Sequence, residues 1–125
     1  MNGGSVTHIF MIAIGGAIGA VFRVYLSQWI SRLFFFTMPM GILITNLMGC
    51  FLMGLMASLC DKYHVSSFIK LFIISGGLGA FTTFSTFAFE TTNLISSGHL
   101  LVTLGYILSS VVGGVLVFWF GSLII

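Results

Sequence analysis

Charge is what this chain most lacks. Its 125 residues include only four Lys and Arg and two Asp and Glu, 5% in all, against about a quarter in an ordinary soluble domain. The net charge of +2 is small and scattered, which excludes a basic face for nucleic acid and any strong pull on an acidic partner. The two cysteines, Cys50 and Cys60, match neither a metal-binding spacing nor a small disulfide framework. His8, His64 and His99 lie far apart in the chain and read as surface residues near span ends. With so few reactive side chains, no nucleophile and base pair and no metal cage can be assembled, so an enzyme is not expected. Proline occurs once, at Pro39, just ahead of a long apolar run, where it suits the first turn of a helix.

What remains is oil: 58% of the residues are hydrophobic. They fall in four runs, about Val6–Trp29, Met40–Leu59, Phe68–Ile95 and Leu100–Ile125, each long enough for the roughly 20 residues that cross a bilayer as helix. The expected fold is an all-α integral membrane protein, a single four-helix domain over residues 1–125. The first run has no basic stretch before it and no clear small-residue cleavage site after it, and it reads as a retained helix.

With four spans, the Asp61–Lys70 loop shares a side with both termini and holds Lys62 and Lys70, while Arg23 and Arg32 belong to the other side. Two cations against two give the positive-inside rule almost nothing to act on. Such a chain is a candidate to insert in both orientations and to pair as an antiparallel homodimer, since oligomers usually close with two-fold symmetry. The alternative, one orientation fixed by the amino terminus, stays open on charge alone.

The third run departs from plain hydrocarbon character at Gly76–Glu90, GGLGAFTTFSTFAFE. Gly76, Gly77 and Gly79 weaken a helix at one place, so a broken third helix is expected, restarting near Thr82. Irregular backbone at membrane depth is tolerated only when buried in protein or lining an aqueous cavity, which points to a permeation or ion-binding site. After a restart, Phe84 and Phe87 share one face, while Thr82, Thr86 and Glu90 run along a neighbouring one. Phenylalanine is abundant in this chain, and simple packing competes with a functional role. The company of Ser85 and Thr86 favours function, because a ring edge is electropositive and attracts a small anion.

Other polar residues fit the same site. Arg23 ends the small-residue face Gly15, Gly16 and Gly19 of the first span; it either snorkels to the surface or draws anions to a pore mouth. Asn46 is the one strongly polar side chain within GILITNLMGCFLMG, and serves as interhelical glue or as a donor to a dehydrated anion. Tyr106 and Ser110 lie one turn apart on the fourth span. Glu90 either lies near enough to the membrane surface for hydration or pairs with Asn93, Arg23 or a neighbouring hydroxyl.

Taken together, GGAIGAVFR at Gly15–Arg23, GILITNLMG at Gly41–Gly49 and GAFTTFSTF at Gly79–Phe87 resemble, in order and over nearly the whole chain, the small bacterial fluoride channels of the Fluc or CrcB family. The resemblance implies a multi-pass protein of the bacterial inner membrane that passively exports fluoride and confers fluoride resistance. It implies an antiparallel, dual-topology homodimer embedded in lipid, with two narrow pores. It places Phe84, Phe87, Asn46, Ser85, Thr86, Tyr106 and Ser110 along the fluoride pore and Arg23 in the vestibule. It also implies a structural Na+ at the dimer dyad, held by the carbonyls of Gly79 and Thr82. Ala80 and Gly114 depart from residues common in the family, and the second leaves the outer end of the fourth-helix track in doubt. A small four-helix multidrug transporter is the nearest competitor, but its first-helix glutamate has no counterpart here. A structural membrane protein whose Gly and Phe residues only pack is the other.

Overall fold

The computed structural model describes residues 3–125; Met1 and Asn2, the first two residues of the expected domain, lie outside them. Six α-helices and one π-helical segment make up four spans, with no strand among the described residues. The first span is α1 (Gly3–Leu33) and the second α2 (Met40–Lys62). The third runs through α3 (Ser67–Lys70), a π-helical segment (Leu71–Leu78), α4 (Gly79–Phe81) and α5 (Phe84–Ser96). The fourth is α6 (Leu100–Leu123). All four are long and apolar enough to cross a membrane. Helix is the only open-ended element that satisfies its own backbone in hydrocarbon. At 31 residues, α1 is about 46 Å long, so it extends beyond the hydrocarbon at one or both ends.

Short connections set the order of the spans. Pro39 sits at the cap position before α2, with φ −72°. The turn after α2 places His64 at φ 49°, with its N–H donated to Asp61 O. Lys70 pairs with Asp61 at 2.8 Å across this turn. Ser66 takes the cap position of α3, but its hydroxyl makes no cap bond; its carbonyl accepts from Lys70 N instead. The α5–α6 turn closes on Gly98, whose φ of 77° suits glycine. There Gly98 N donates to Ile95 O and His99 N to Leu94 O, the paired bonds that end a helix on a left-handed residue.

Two helix pairs dominate the packing, α2 with α6 and α1 with the π-helical segment. Both meet backbone to backbone. A Cβ on Gly54 would overlap the carbonyl of Phe118, and one on Gly121 the carbonyl of Phe51. Likewise Gly15 and Gly19 lie against the carbonyls of Phe72 and Gly77. Small residues let membrane helices approach this closely. Leu43, Leu94 and Tyr106 form the buried centre, with Leu47 and Phe87 packed against it.

Candidate functional site

The third span leaves helical geometry at Thr82 and Thr83, not at its glycines. Thr82 has φ −84° and ψ 152°, and Thr83 has φ −144° and ψ 125°. Gly76 and Gly77 remain in the π-helical segment, held there by the close face of α1, and α5 restarts at Phe84. Extended backbone here needs outside partners, and Asn46 supplies two. Its Oδ1 accepts from Thr83 N at 2.8 Å, and its Nδ2 donates to Thr83 O at 2.9 Å. One amide side chain thus pairs with both polar groups of a single extended residue, as a neighbouring strand would. The second Nδ2 hydrogen remains free to donate.

Arg23 acts on the other flank. Its Nε donates to Ala80 O at 3.1 Å, satisfying a carbonyl in the turn that ends at the interruption. The remaining guanidinium hydrogens stay with a half-buried side chain. α1 and α2 therefore grip the two ends of α4 and the extended pair.

Thr83 also organises the restart. Its Oγ1 accepts from Thr86 N at 3.3 Å, capping α5, and donates to Thr86 Oγ1 at 3.2 Å. Ser85 Oγ lies 3.2 Å from the same atom. The consequence reaches two carbonyls. In an unbroken helix Gly79 O would receive Thr83 N, and Thr82 O would receive Thr86 N. Those donors are spent on Asn46 Oδ1 and Thr83 Oγ1. Gly79 and Thr82 thus present carbonyls stripped of their helical donors, the ligand type a hard monovalent cation takes. Among the described residues no cluster of three His, Cys, Asp or Glu side chains could hold a metal, so any cation here would rely on backbone oxygen.

Beside the interruption runs a groove of about 460 Å³, lined on α2 by Asn46 and Cys50, on the third span by Thr82, Thr83, Phe84 and Phe87, and on α6 by Ser110 through Phe118. Its α6 wall advances one turn at a time through Ser110, Gly114 and Phe118. Ser110 Oγ is buried there without a hydrogen-bond partner. The lining is mostly apolar, and its polar residues are Asn46, Thr82, Thr83 and Ser110.

The aromatic row continues past the groove. Phe84 and Phe87 stand 5.5 Å apart between ring centroids, tilted by 48°. Phe87 and Tyr106 are 5.2 Å apart at 43°, in the edge-involving range that aromatic pairs favour. Phe84 is 76% exposed on the single chain, whereas Tyr106 is fully buried. The Tyr106 hydroxyl donates to Glu90 Oε2 at 2.6 Å. Glu90 also lines another opening, of about 320 Å³, with Thr37, Pro39, Asn93, Leu94, Ser97 and His99.

The structure therefore gathers Asn46, Thr82, Phe84, Phe87 and Ser110 on one groove and sets Ser85 and Thr86 in the hydroxyl cluster at its edge. Arg23 and Gly79 lie at the preceding turn. Tyr106 and Glu90 form a separate pair beyond Phe87. Sequence reasoning passed over Thr83, although a threonine three residues before another polar residue at a helix start is a capping signal. It weighed Cys50 only as a metal or disulfide residue and not as a groove wall, and passed over Thr37, for which no local pattern exists.

Similarity places these observations among known proteins. The profile described as CrcB-like protein, Camphor Resistance (CrcB) matches residues 10–122. A fluoride-specific ion channel FluC of Leptospira interrogans serovar copenhageni is 43% identical over 108 residues, 86% of this chain and 85% of the relative. That of Chloroflexus aurantiacus is 40% identical over 124 residues, covering 92% and 98%. That of Magnetococcus marinus is 45% identical over 121 residues, covering 93% and 95%.

Proposed function

The chain belongs to the CrcB-like family, and on that premise we propose that it is a passive, fluoride-selective channel that exports the ion from the cytoplasm. The observation that carries this reading is its identity of 40% or more, over most of its length, with relatives named fluoride-specific ion channels. It is a multi-pass protein of the bacterial inner membrane and a channel, not an enzyme.

The mechanism starts from hydration. Fluoride is small and binds its water tightly, so passage needs substitute donors in a narrow path, as carbonyl rings replace water around potassium. Arg23 gathers anions at one flank by simple attraction. The free Nδ2 hydrogen of Asn46 and the hydroxyl of Ser110 supply hydrogen-bond donors along the groove, and Thr86 adds one from the hydroxyl cluster at its edge, which Thr83 and Ser85 hold together. The edges of Phe84 and Phe87 carry the ion where hydroxyls end. Tyr106, its proton committed to Glu90, contributes its ring more than its hydroxyl.

Direction follows from the membrane potential. A negative interior drives an anion outward at about 2.3 kcal/mol per charge for each 100 mV. Hydrogen fluoride enters as a neutral weak acid in acid surroundings and dissociates in a neutral cytoplasm, so a passive leak suffices to empty the cell.

The working unit on this reading is an antiparallel homodimer in lipid with two pores, formed from copies inserted in opposite orientations. The third spans cross at their interruptions, and a sodium ion at the dyad would be held by the carbonyls of Gly79 and Thr82, which fit it because their helical donors are spent elsewhere. Bound there, the ion supplies fixed positive charge that ties the interrupted spans together. Fluoride efflux from liposomes, measured beside chloride, tests the whole reading. Rapid fluoride loss with chloride retained is the expected result; vesicles that hold both ions overturn it.

A further inference from the structure

The three hydroxyls at the restart of the third span are not equivalent. Thr83 Oγ1 has one proton, and it is donated to Thr86 Oγ1 at 3.2 Å. It follows that the 3.2 Å contact between Thr83 Oγ1 and Ser85 Oγ has Ser85 as its donor, since a hydroxyl offers a single hydrogen and two acceptor sites. Ser85 has then spent its proton inside the cluster. Thr86 has received one, and its own hydrogen has no acceptor among the described residues. Thr83 itself is fixed in place, with both backbone polar groups gripped by Asn46. Thr83 lines the groove together with Ser110, whose buried Oγ likewise has no partner.

We propose that Thr83 is a positioning residue for permeation: by donating to Thr86 Oγ1 and accepting from Ser85 Oγ, it turns the Thr86 proton outward as the hydroxyl donor that fluoride meets. This rests on the fluoride-channel reading and refines it. Thr83 acts through Thr86, without touching the ion. Ser85 contributes by holding Thr83, and its removal weakens the arrangement only in part.

The test uses the full chain in liposomes, with fluoride efflux read by an ion-selective electrode and assembly checked by size exclusion. Thr86→Val keeps the shape and removes the hydroxyl, and slows efflux by about tenfold or more, whereas Ser85→Ala slows it by about threefold. Thr83→Val matches Thr86→Val, and Thr83→Ser restores the rate. The double variant Thr83→Val with Thr86→Val is no slower than Thr86→Val alone, because residues acting in one network are not additive. A Thr83 that merely capped α5 would instead multiply its effect with that of Thr86. Multiplying effects, or a Ser85→Ala rate as low as that of Thr86→Val, overturns the proposal. If Thr83→Val fails to assemble, the comparison of Ser85→Ala with Thr86→Val decides alone. A parent protein that passes no fluoride defeats the channel reading itself, a result distinct from a conducting parent with the wrong ranking.

Discussion

Asn46 carries two tasks with one amide, and they separate by substitution. Asn46→Ala leaves the N–H and C=O of Thr83 without their partners, at about 1–3 kcal/mol for each unsatisfied group. The expected outcome is a clearly lower thermal midpoint in detergent together with lost fluoride efflux. Asn46→Asp keeps an acceptor for Thr83 N, loses the donor to Thr83 O, and adds negative charge beside the path. It should melt closer to the parent yet conduct least, because repulsion of an anion adds to the lost bond. Undiminished efflux in Asn46→Asp would show that this side chain does not face the ion. The phenylalanines divide in the same way. Replacing Phe84 or Phe87 by isoleucine preserves apolar bulk but removes the electropositive ring edge, so efflux should slow while size exclusion finds the assembly unchanged. Equal rates in both variants would leave the aromatic row as packing.

At the scale of elements, the close approach of α1 to the π-helical segment decides where the interruption lies. Of the three glycines in GGAIG, Gly19 faces the carbonyl of Gly77 and Gly15 that of Phe72, whereas a Cβ on Gly16 would meet nothing within 4 Å. Gly19→Ala must push the two elements apart, at about 1–3 kcal/mol for an overfilled contact, and it disturbs the segment that leads into Thr82 and Thr83. Gly16→Ala gains up to about 1 kcal/mol of helix propensity. Thermal melts of the two variants should therefore move in opposite directions, and a matched fall would place Gly16 in the contact as well. These glycines show what a sequence can and cannot reveal. Four apolar spans, the polar stretch at Gly76–Glu90 and its hydroxyl and phenylalanine groups were legible, because hydrophobic length and local spacing determine them. The location of the extended residues was not. Glycine weakens a helix only where nothing holds it, and Gly76 and Gly77 are held by α1. The chain leaves the helix where Asn46, 37 residues before Thr83, holds the N–H and C=O of Thr83. A long-range pairing of that kind leaves no periodic trace. The Tyr106–Glu90 bond is similar: both residues stood out as polar, but only tertiary packing joined them.

For the whole molecule, the proposed channel calls for more than one chain. The groove is open along one flank, Phe84 on its wall stands 76% exposed, and in a lone chain the spare amide hydrogen of Asn46 would have acyl chains across that opening. Hydrocarbon offers such a donor no partner, so on the proposed reading a second copy closing the flank is the economical solution. The charge balance makes an inverted copy available: Lys62 and Lys70 oppose Arg23 and Arg32, leaving insertion with little preference between orientations. A reporter fused to the C-terminus should therefore signal from both sides of the membrane in comparable amounts. Two added lysines in the turn between α2 and α3 should fix one orientation, and an added pair in the turn between α5 and α6 the other. Each biased variant expressed alone should then lose fluoride efflux, because it meets only parallel copies, and co-expression of the two should restore it. Efflux that survives in a singly expressed variant with a uniform reporter signal would mean that parallel copies, or one chain alone, form the path, and the antiparallel arrangement would fall.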